Sequence, residues 1–218
     1  MLRLDLRNLI NVDGRLTYRF VKEGQEWDIS IDFHRDFAVN QSALGKKQLF
    51  SKALGLSKKS DLRILDATAG LLGDSFLMSC WGAQVIALER EKVLYLLGQD
   101  ALERGLQNPK ISSFVKNIRL FHKDSRLFLR NFQGPSFDVI YLDPMFPPKK
   151  KRSLPPKSAQ FLQAHLDGDE EEARELFAMA IQKALRVVVK RPLGIPPLIE
   201  RPHHQFRGKS IRYDMYLP

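Results

Sequence analysis

Leu62-Arg-Ile-Leu-Asp66-Ala-Thr-Ala-Gly70-Leu-Leu-Gly73-Asp74 is a short apolar run that ends in an aspartate and passes through small residues and glycines into a stretch with helical spacing. A strand that turns into a helix this way brings bare backbone to the carboxyl edge of a sheet, where open α/β folds take their ligands. Working outward, Gly73 to Trp81 reads as a helix, Gln84 to Leu88 as a strand and Lys92 to Arg104 as a second helix. Asn117 to Phe121, Phe137 to Leu142 and Leu185 to Val189 read as further strands. Ala173, Leu176, Phe177, Ala180, Ile181 and Ala184 form the apolar stripe of a helix with acidic residues at its start. Nearly continuous apolar strands alternating with helices predict an α/β fold whose mostly parallel sheet is covered on both faces. His203 to Arg207 and Ser210 to Leu217 flank Gly208-Lys209 and predict an antiparallel hairpin at the C-terminus.

Ahead of this core the sequence changes period. Leu2, Leu4 and Leu6 alternate with polar residues, as do Leu16, Tyr18 and Phe20, and then Trp27, Ile29, Ile31 and Phe33. The turns Val12-Asp13-Gly14 and Glu23-Gly24-Gln25 separate these runs, which predicts a small antiparallel β meander. A helix is predicted over Ala43 to Leu54, ended by Gly55. The chain of 218 residues therefore divides into an accessory part, residues 1–60, and a main domain, residues 61–218.

Hydrophobic residues make up 44% and charged residues 28%, the balance of a globular protein rather than a disordered or fibrous one. No run approaches the ~20 apolar residues of a membrane helix, and the charged start Met1-Leu-Arg-Leu-Asp is unlike a secretory signal. The single cysteine, Cys80, sits in an apolar run and fits a reducing compartment, so a cytoplasmic protein is expected. The net charge of +10 makes nucleic acid the leading partner, because a surface this basic attracts polyanions.

Two motifs carry chemistry. The turn Asp66 to Asp74 is not the G-x-G-x-x-G fingerprint, and no Walker lysine follows it, which disfavours a pyrophosphate cradle and a dinucleotide oxidoreductase. Its Gly70 and Gly73 let a ligand approach the backbone, and Glu89, ending the second strand, suits a carboxylate that accepts two ribose hydroxyls. The second motif, Tyr141-Leu-Asp143-Pro144-Met145-Phe146-Pro147, follows the fourth strand. An exocyclic base amine has its lone pair delocalised into the ring, so an enzyme must hold the NH2 with acceptors and aim the lone pair. The Asp143 carboxylate and the Pro144 carbonyl supply acceptors, and Phe146 offers a face on which the base stacks.

With these motifs the sequence resembles the bacterial small-subunit ribosomal RNA methyltransferase J family, whose members methylate the exocyclic amine of a guanine in 16S rRNA. The resemblance runs from about Leu62 to the end. It rests on Asp66-Ala-Thr-Ala-Gly-Leu, Leu88-Glu89-Arg90, Tyr141 to Pro147, Val187-Val-Val-Lys-Arg-Pro192 and Arg212-Tyr-Asp-Met-Tyr216. It implies a class I methyltransferase fold, S-adenosylmethionine as cofactor, and 16S ribosomal RNA or the small ribosomal subunit as partner. It further implies cofactor contacts at Asp74, at Glu89 with Arg90, at Asp124 with Ser125 and at Asp143, beside Asp66, Gly70 and Gly73 of the turn. Where the family usually reads Gly-Leu-Gly-Arg-Asp, this chain has Gly70-Leu71-Leu72-Gly73-Asp74, with the second glycine displaced and the arginine gone.

Next to a site for a nucleic-acid base, the run Lys149-Lys150-Lys151-Arg152, with Lys157 beyond it, is expected to clamp phosphates, and Lys190 and Arg191 to extend that positive surface. His203 and His204 lack neighbouring ligand spacing, and methyl transfer needs no metal, so none is expected. Other readings stay open on the residues alone: an amine methyltransferase for adenine or for protein glutamine, and a non-catalytic RNA-binding protein on the same scaffold.

Overall fold

The computed structural model describes residues 4–39, 48–144, 161–162 and 168–218. Its elements are β1 (Leu9–Val12), β2 (Arg15–Lys22), β3 (Gln25–Ile29), α1 (Phe33–Val39), α2 (Leu49–Leu54), β4 (Arg63–Asp66), α3 (Gly73–Cys80) and β5 (Gln84–Glu89). There follow α4 (Lys92–Leu106), α5 (Ser112–Val115), β6 (Ile118–His122), α6 (Ser125–Asn131), β7 (Val139–Leu142), α7 (Glu170–Ala180), β8 (Val187–Pro192), β9 (His204–Arg207) and β10 (Ile211–Tyr216).

Seven strands form one sheet in the order β6-β5-β4-β7-β8-β10-β9. The first five are parallel, and β10 runs antiparallel to both β8 and β9. This is the predicted mostly parallel sheet with its closing hairpin. Every residue of β7 is buried, as an apolar strand between two covered faces must be. On one face the core includes Ile64, Phe76, Trp81, Leu97 and Tyr141, and on the other Leu65, Ile140, Leu176, Phe177 and Val189. Strand order reverses between β4 and β7, so their carboxyl ends, at Asp66 and Leu142, open a crevice at the switch point of the sheet.

The meander is a separate three-stranded sheet in the order β1-β2-β3. Its inner side chains Tyr18, Phe20 and Ile29 join the same buried cluster as α3 and α4, so it shares the core rather than owning one. The Phe161 ring seals the junction, 5.5 Å from Tyr18 and 5.2 Å from Phe20.

Local chemistry shifts several boundaries. Leu6 lies in a 3-10 turn, Leu6–Asn8, because the Asp5 side chain accepts from Arg7 N; the first meander strand is Leu9–Val12 instead. Phe33 opens a helix rather than ending a strand, because Asp32 Oδ1 accepts from Arg35 N and caps it. The helix predicted over Ala43 to Leu54 is described from Leu49, and Gly55 ends it at φ +88°, the left-handed conformation glycine adopts without strain. The strand predicted over Leu185 to Val189 is Val187–Pro192, which carries Lys190 and Arg191 inside the sheet. Among the described residues no helix is long and apolar enough to cross a membrane.

Candidate active site

The turn after β4 is built by its own side chains. Asp66 is almost fully buried; its Oδ2 accepts from Ser75 Oγ at 2.6 Å and its Oδ1 from Thr68 N at 3.2 Å. Burial pushes its carboxyl up to about 7, against the pull of those hydrogen bonds. Asp66, expected among the cofactor contacts, therefore lies beneath the turn and ties it to α3 through Ser75.

Gly70 adopts φ +52°, and its N–H donates to Glu89 Oε2 at 2.8 Å. Glu89 Oε1 accepts from Glu91 N at 2.7 Å. The buried Glu89 carboxylate thus links the turn to the end of β5, and burial raises its pKa to about 7 while the two amides oppose the shift. Leu72 is the residue before α3 and takes φ +60°, the conformation a glycine would favour there. A left-handed non-glycine residue costs about 1–2 kcal/mol. Burial offsets it: Leu72 is fully buried, and it fills the space beside Gly98 of α4. A Cβ at Gly98 would stand 2.9 Å from Leu72 Cδ1 and 2.7 Å from Leu120 Cδ2. The displaced glycine, Gly73, starts α3 with nothing within 4 Å of an added Cβ.

The β7 end is tied to this turn: Asp143 N donates to Thr68 Oγ1 at 2.7 Å. Register places Leu142 beside Val189, so Asp143 meets Lys190 one step further along. Lys190 Nζ donates to Asp143 Oδ2 at 2.8 Å and to Asp74 Oδ2 at 2.9 Å, and Tyr141 Oη donates to the same Asp74 oxygen at 2.6 Å. Burial works against the Lys190 ammonium, but the two carboxylates outweigh it and hold the pKa above the ordinary lysine value. Burial pushes the Asp143 carboxyl up, and Lys190 pulls it back.

Asp124 caps α6, with Oδ1 accepting from Arg126 N at 2.8 Å, and Ser125 Oγ donates to Ala67 O at 2.7 Å. Both therefore stand at the carboxyl edge beside the turn. Arg90 is half-exposed and pairs with Glu172 at 2.9 Å. The structure thus gathers Gly70, Asp74, Glu89, Asp124, Ser125 and Asp143 along one edge of the sheet, together with Thr68 and Tyr141, which have no sequence signal beyond their place in the two motifs.

Two residues expected on the positive surface are elsewhere. Lys190 is held between two carboxylates in the crevice. Arg191 is fully buried: its Nε and Nη2 donate to Pro196 O at 3.0 and 2.7 Å, and Nη2 reaches Glu170 Oε1 at 3.2 Å. It holds the loop after β8 and presents no charge to a partner, because strand alternation turns it to the face opposite Lys190, under the start of α7. Phe146, Lys149, Lys150, Lys151, Arg152 and Lys157 lie outside the described residues. Among the described residues no group of three or more His, Cys, Asp or Glu has a metal-holding arrangement.

Comparison with known proteins agrees with this geometry. A family model for SAM-dependent methyltransferases matches residues 5–218. A ribosomal RNA small subunit methyltransferase J of Desulfotalea psychrophila is 39% identical over 78% of this chain and 66% of its own length. One from Pseudoalteromonas atlantica is 36% identical over 96% of this chain and 84% of its own length. The crystal structure of a SAM-dependent methyltransferase from Neisseria gonorrhoeae superimposes with a TM-score of 0.75 at 32% identity, covering 94% of this chain and 80% of that one. The strand order, the crevice at the switch point and these similarities together place the chain in the ribosomal RNA small subunit methyltransferase J family of SAM-dependent methyltransferases.

Proposed function

We propose that this chain transfers a methyl group to the exocyclic N2 amine of a guanine in 16S ribosomal RNA, in the cytoplasm. The observation that carries the reading is the Asp143–Pro144 turn at the switch point, its Asp143 backbone N–H fixed to Thr68 of the glycine turn and its carboxylate to Lys190. When bound, S-adenosylmethionine supplies an electrophilic methyl on a sulfonium. The residues fit that cofactor. The turn is open outward at Gly73, and each oxygen of Glu89 holds one backbone N–H, leaving lone pairs for two vicinal hydroxyls. Asp124 and Ser125, at the same edge of the sheet, would hold the adenine, and Arg90 would help hold the ribose.

Asp143 and the Pro144 carbonyl hold the amine and aim its lone pair, and Phe146 stacks on the base. Positioning carries the work, since the methylated nitrogen is cationic and sheds its proton readily. Lys149, Lys150, Lys151, Arg152 and Lys157 hold RNA phosphates. Neutralising the four residues 149–152 together is expected to weaken RNA binding and flatten its log-log salt dependence without changing cofactor affinity. An unchanged salt slope would remove that surface from the reading. The function itself is tested by mass mapping of modified nucleosides in rRNA from a strain lacking the protein. One N2-methylguanine is expected to vanish from 16S rRNA and to return on complementation; a lost methyladenine, or an unchanged map, would overturn it.

Glu89 gives the cofactor site a pH dependence. A carboxyl raised from 4.5 to about 7 in the folded protein favours its neutral form, so this group's contribution to cofactor-free stability falls as pH rises from the unfolded value through 7. A ligand that needs the carboxylate as acceptor binds better above that pH. Titration calorimetry should find affinity for S-adenosylmethionine rising between about pH 6 and 8 in wild type, with less of a rise in Glu89→Gln. Glu89→Ala should lose about 1.5–3 kcal/mol of binding at pH 8. Unchanged affinity in a folded Glu89→Ala protein would end the ribose assignment.

A further inference from the structure

We propose that Lys190 is a positioning residue of the methyl-transfer site: its ammonium clamps Oδ2 of Asp143 against Asp74 and leaves Oδ1 of Asp143 to receive the target amine. This rests on the amine-methyltransferase reading above and extends it to a residue whose charge, in sequence, points to RNA. Nζ lies 2.8 Å from Asp143 Oδ2 and 2.9 Å from Asp74 Oδ2. The side chain is 24% exposed, so the ammonium is not a surface group free to meet phosphate. Among the described residues, Lys190 is the one side chain that donates to the Asp143 carboxylate.

Two further contacts fix the geometry. Thr68 Oγ1 holds the Asp143 backbone, and Tyr141 Oη holds Asp74 from the other side, so the lysine bridges two carboxylates that are each anchored. Among the described residues, the charged and titratable groups around Asp143 are Asp66 at the end of β4, Asp74 on α3, Tyr141 on β7, and Lys190 with Tyr213 across β8 and β10. Lys190 is the cation among them. Without it two carboxylates share the crevice, and one takes up a proton at neutral pH, as close carboxylate pairs do. A protonated Asp143 can donate its hydrogen rather than accept from the amine, and it turns the lone pair away.

The transfer step balances around this arrangement. The amine nitrogen forms the N–C bond as the C–S bond breaks with its electron pair going to sulfur. The nitrogen, now cationic, passes one proton to Asp143 Oδ1, which releases it to solvent. The neighbouring ammonium favours that release because it stabilises the Asp143 carboxylate that remains.

The test uses the intact protein with Lys190→Met and Lys190→Arg. Single-turnover methylation of rRNA by Lys190→Met should be about 100-fold slower at neutral pH, with a new dependence in which the rate rises as Asp143 is deprotonated. Affinity for S-adenosylmethionine should stay within about threefold, and Lys190→Arg, which keeps the cation, should recover most of the rate. An independent readout is the carboxyl 13C shift of Asp143 in cofactor-free protein, whose titration midpoint should move up by about one pH unit or more in Lys190→Met. A folded Lys190→Met that methylates at the wild-type rate across pH overturns the proposal. So does an unmoved Asp143 midpoint, or a slow variant whose pH profile keeps its shape and which arginine does not rescue. If wild type itself fails to methylate rRNA while the midpoint moves as stated, the RNA reading fails and the clamp stands.

Discussion

Asp143→Ala is expected to slow single-turnover methyl transfer by about 10² to 10³-fold, the scale of removing one preorganised hydrogen-bonding group from a reacting centre. The Asp143 backbone stays held by Thr68 Oγ1, and Lys190 keeps its contact with Asp74, so the turn should survive the substitution. What is lost is the acceptor that orients the amine. Cofactor affinity should fall far less than the rate and the melting temperature by a few degrees at most, whereas Asp143→Asn, which retains an acceptor oxygen, should keep more of the rate. Quenched-flow measurement with labelled S-adenosylmethionine, beside calorimetric titration, resolves the two effects. A folded Asp143→Ala protein at the wild-type rate would place the amine contact elsewhere.

The largest loss of stability is expected from Asp214→Ala. Asp214 is fully buried in β10, where its carboxylate accepts from Arg212 Nε at 2.8 and 3.1 Å and from Gln205 Nε2 at 2.8 Å. Arg212 is nearly as buried; its Nη1 reaches Pro192 O and Leu193 O, and its Nη2 has no hydrogen-bond partner among the described residues. Removing the carboxylate would strand this cation in a site that already leaves one of its donors unsatisfied. Breaking a buried pair from one side costs about 3–5 kcal/mol. At about 2–4 °C per kcal/mol for a chain of this size, the melting temperature should fall by roughly 6–20 °C. Replacing both partners, as Arg212→Met with Asp214→Leu, should recover part of the loss, because no charge is then left unpaired. A single substitution that shifts the melt by less than about 1 °C would show that water reaches the pair.

The strand-turn-helix core is legible in the sequence because its signals are local: apolar runs of strand length, glycines at the turns, and a 3.6-residue stripe in α7. The meander is less so. Alternation at Leu2, Leu4 and Leu6 competes with an aspartate that caps its own downstream backbone, and at Asp32 the same chemistry starts a helix inside an alternating run. In the site, Asp143 and Glu89 can be found from their places at strand ends. Lys190 and Arg191 mislead because a strand buried on both faces has no polar side: each cation is neutralised by carboxylates far away in the chain. Asp74 lies 116 positions from Lys190 and Glu170 lies 21 from Arg191, and no window of sequence joins them. Asp66 shows a further limit: a strand-end carboxylate reads the same whether or not a helix residue such as Ser75 bonds it.

The left-handed Leu72 has a consequence for anyone who would exchange parts between relatives. Its side chain occupies a socket that exists because α4 carries no side chain at Gly98. Installing the family's usual glycine at position 72 would relax the backbone of the turn and at the same time leave a void between α3, α4 and β6. Placing alanine at 98 fills such a void, yet in the present chain it collides with Leu72 and Leu120. Turn and helix are therefore interlocked modules. A cofactor loop grafted from a homologue without its matching helix face would be mispacked in this scaffold, although each half is well formed in its own context.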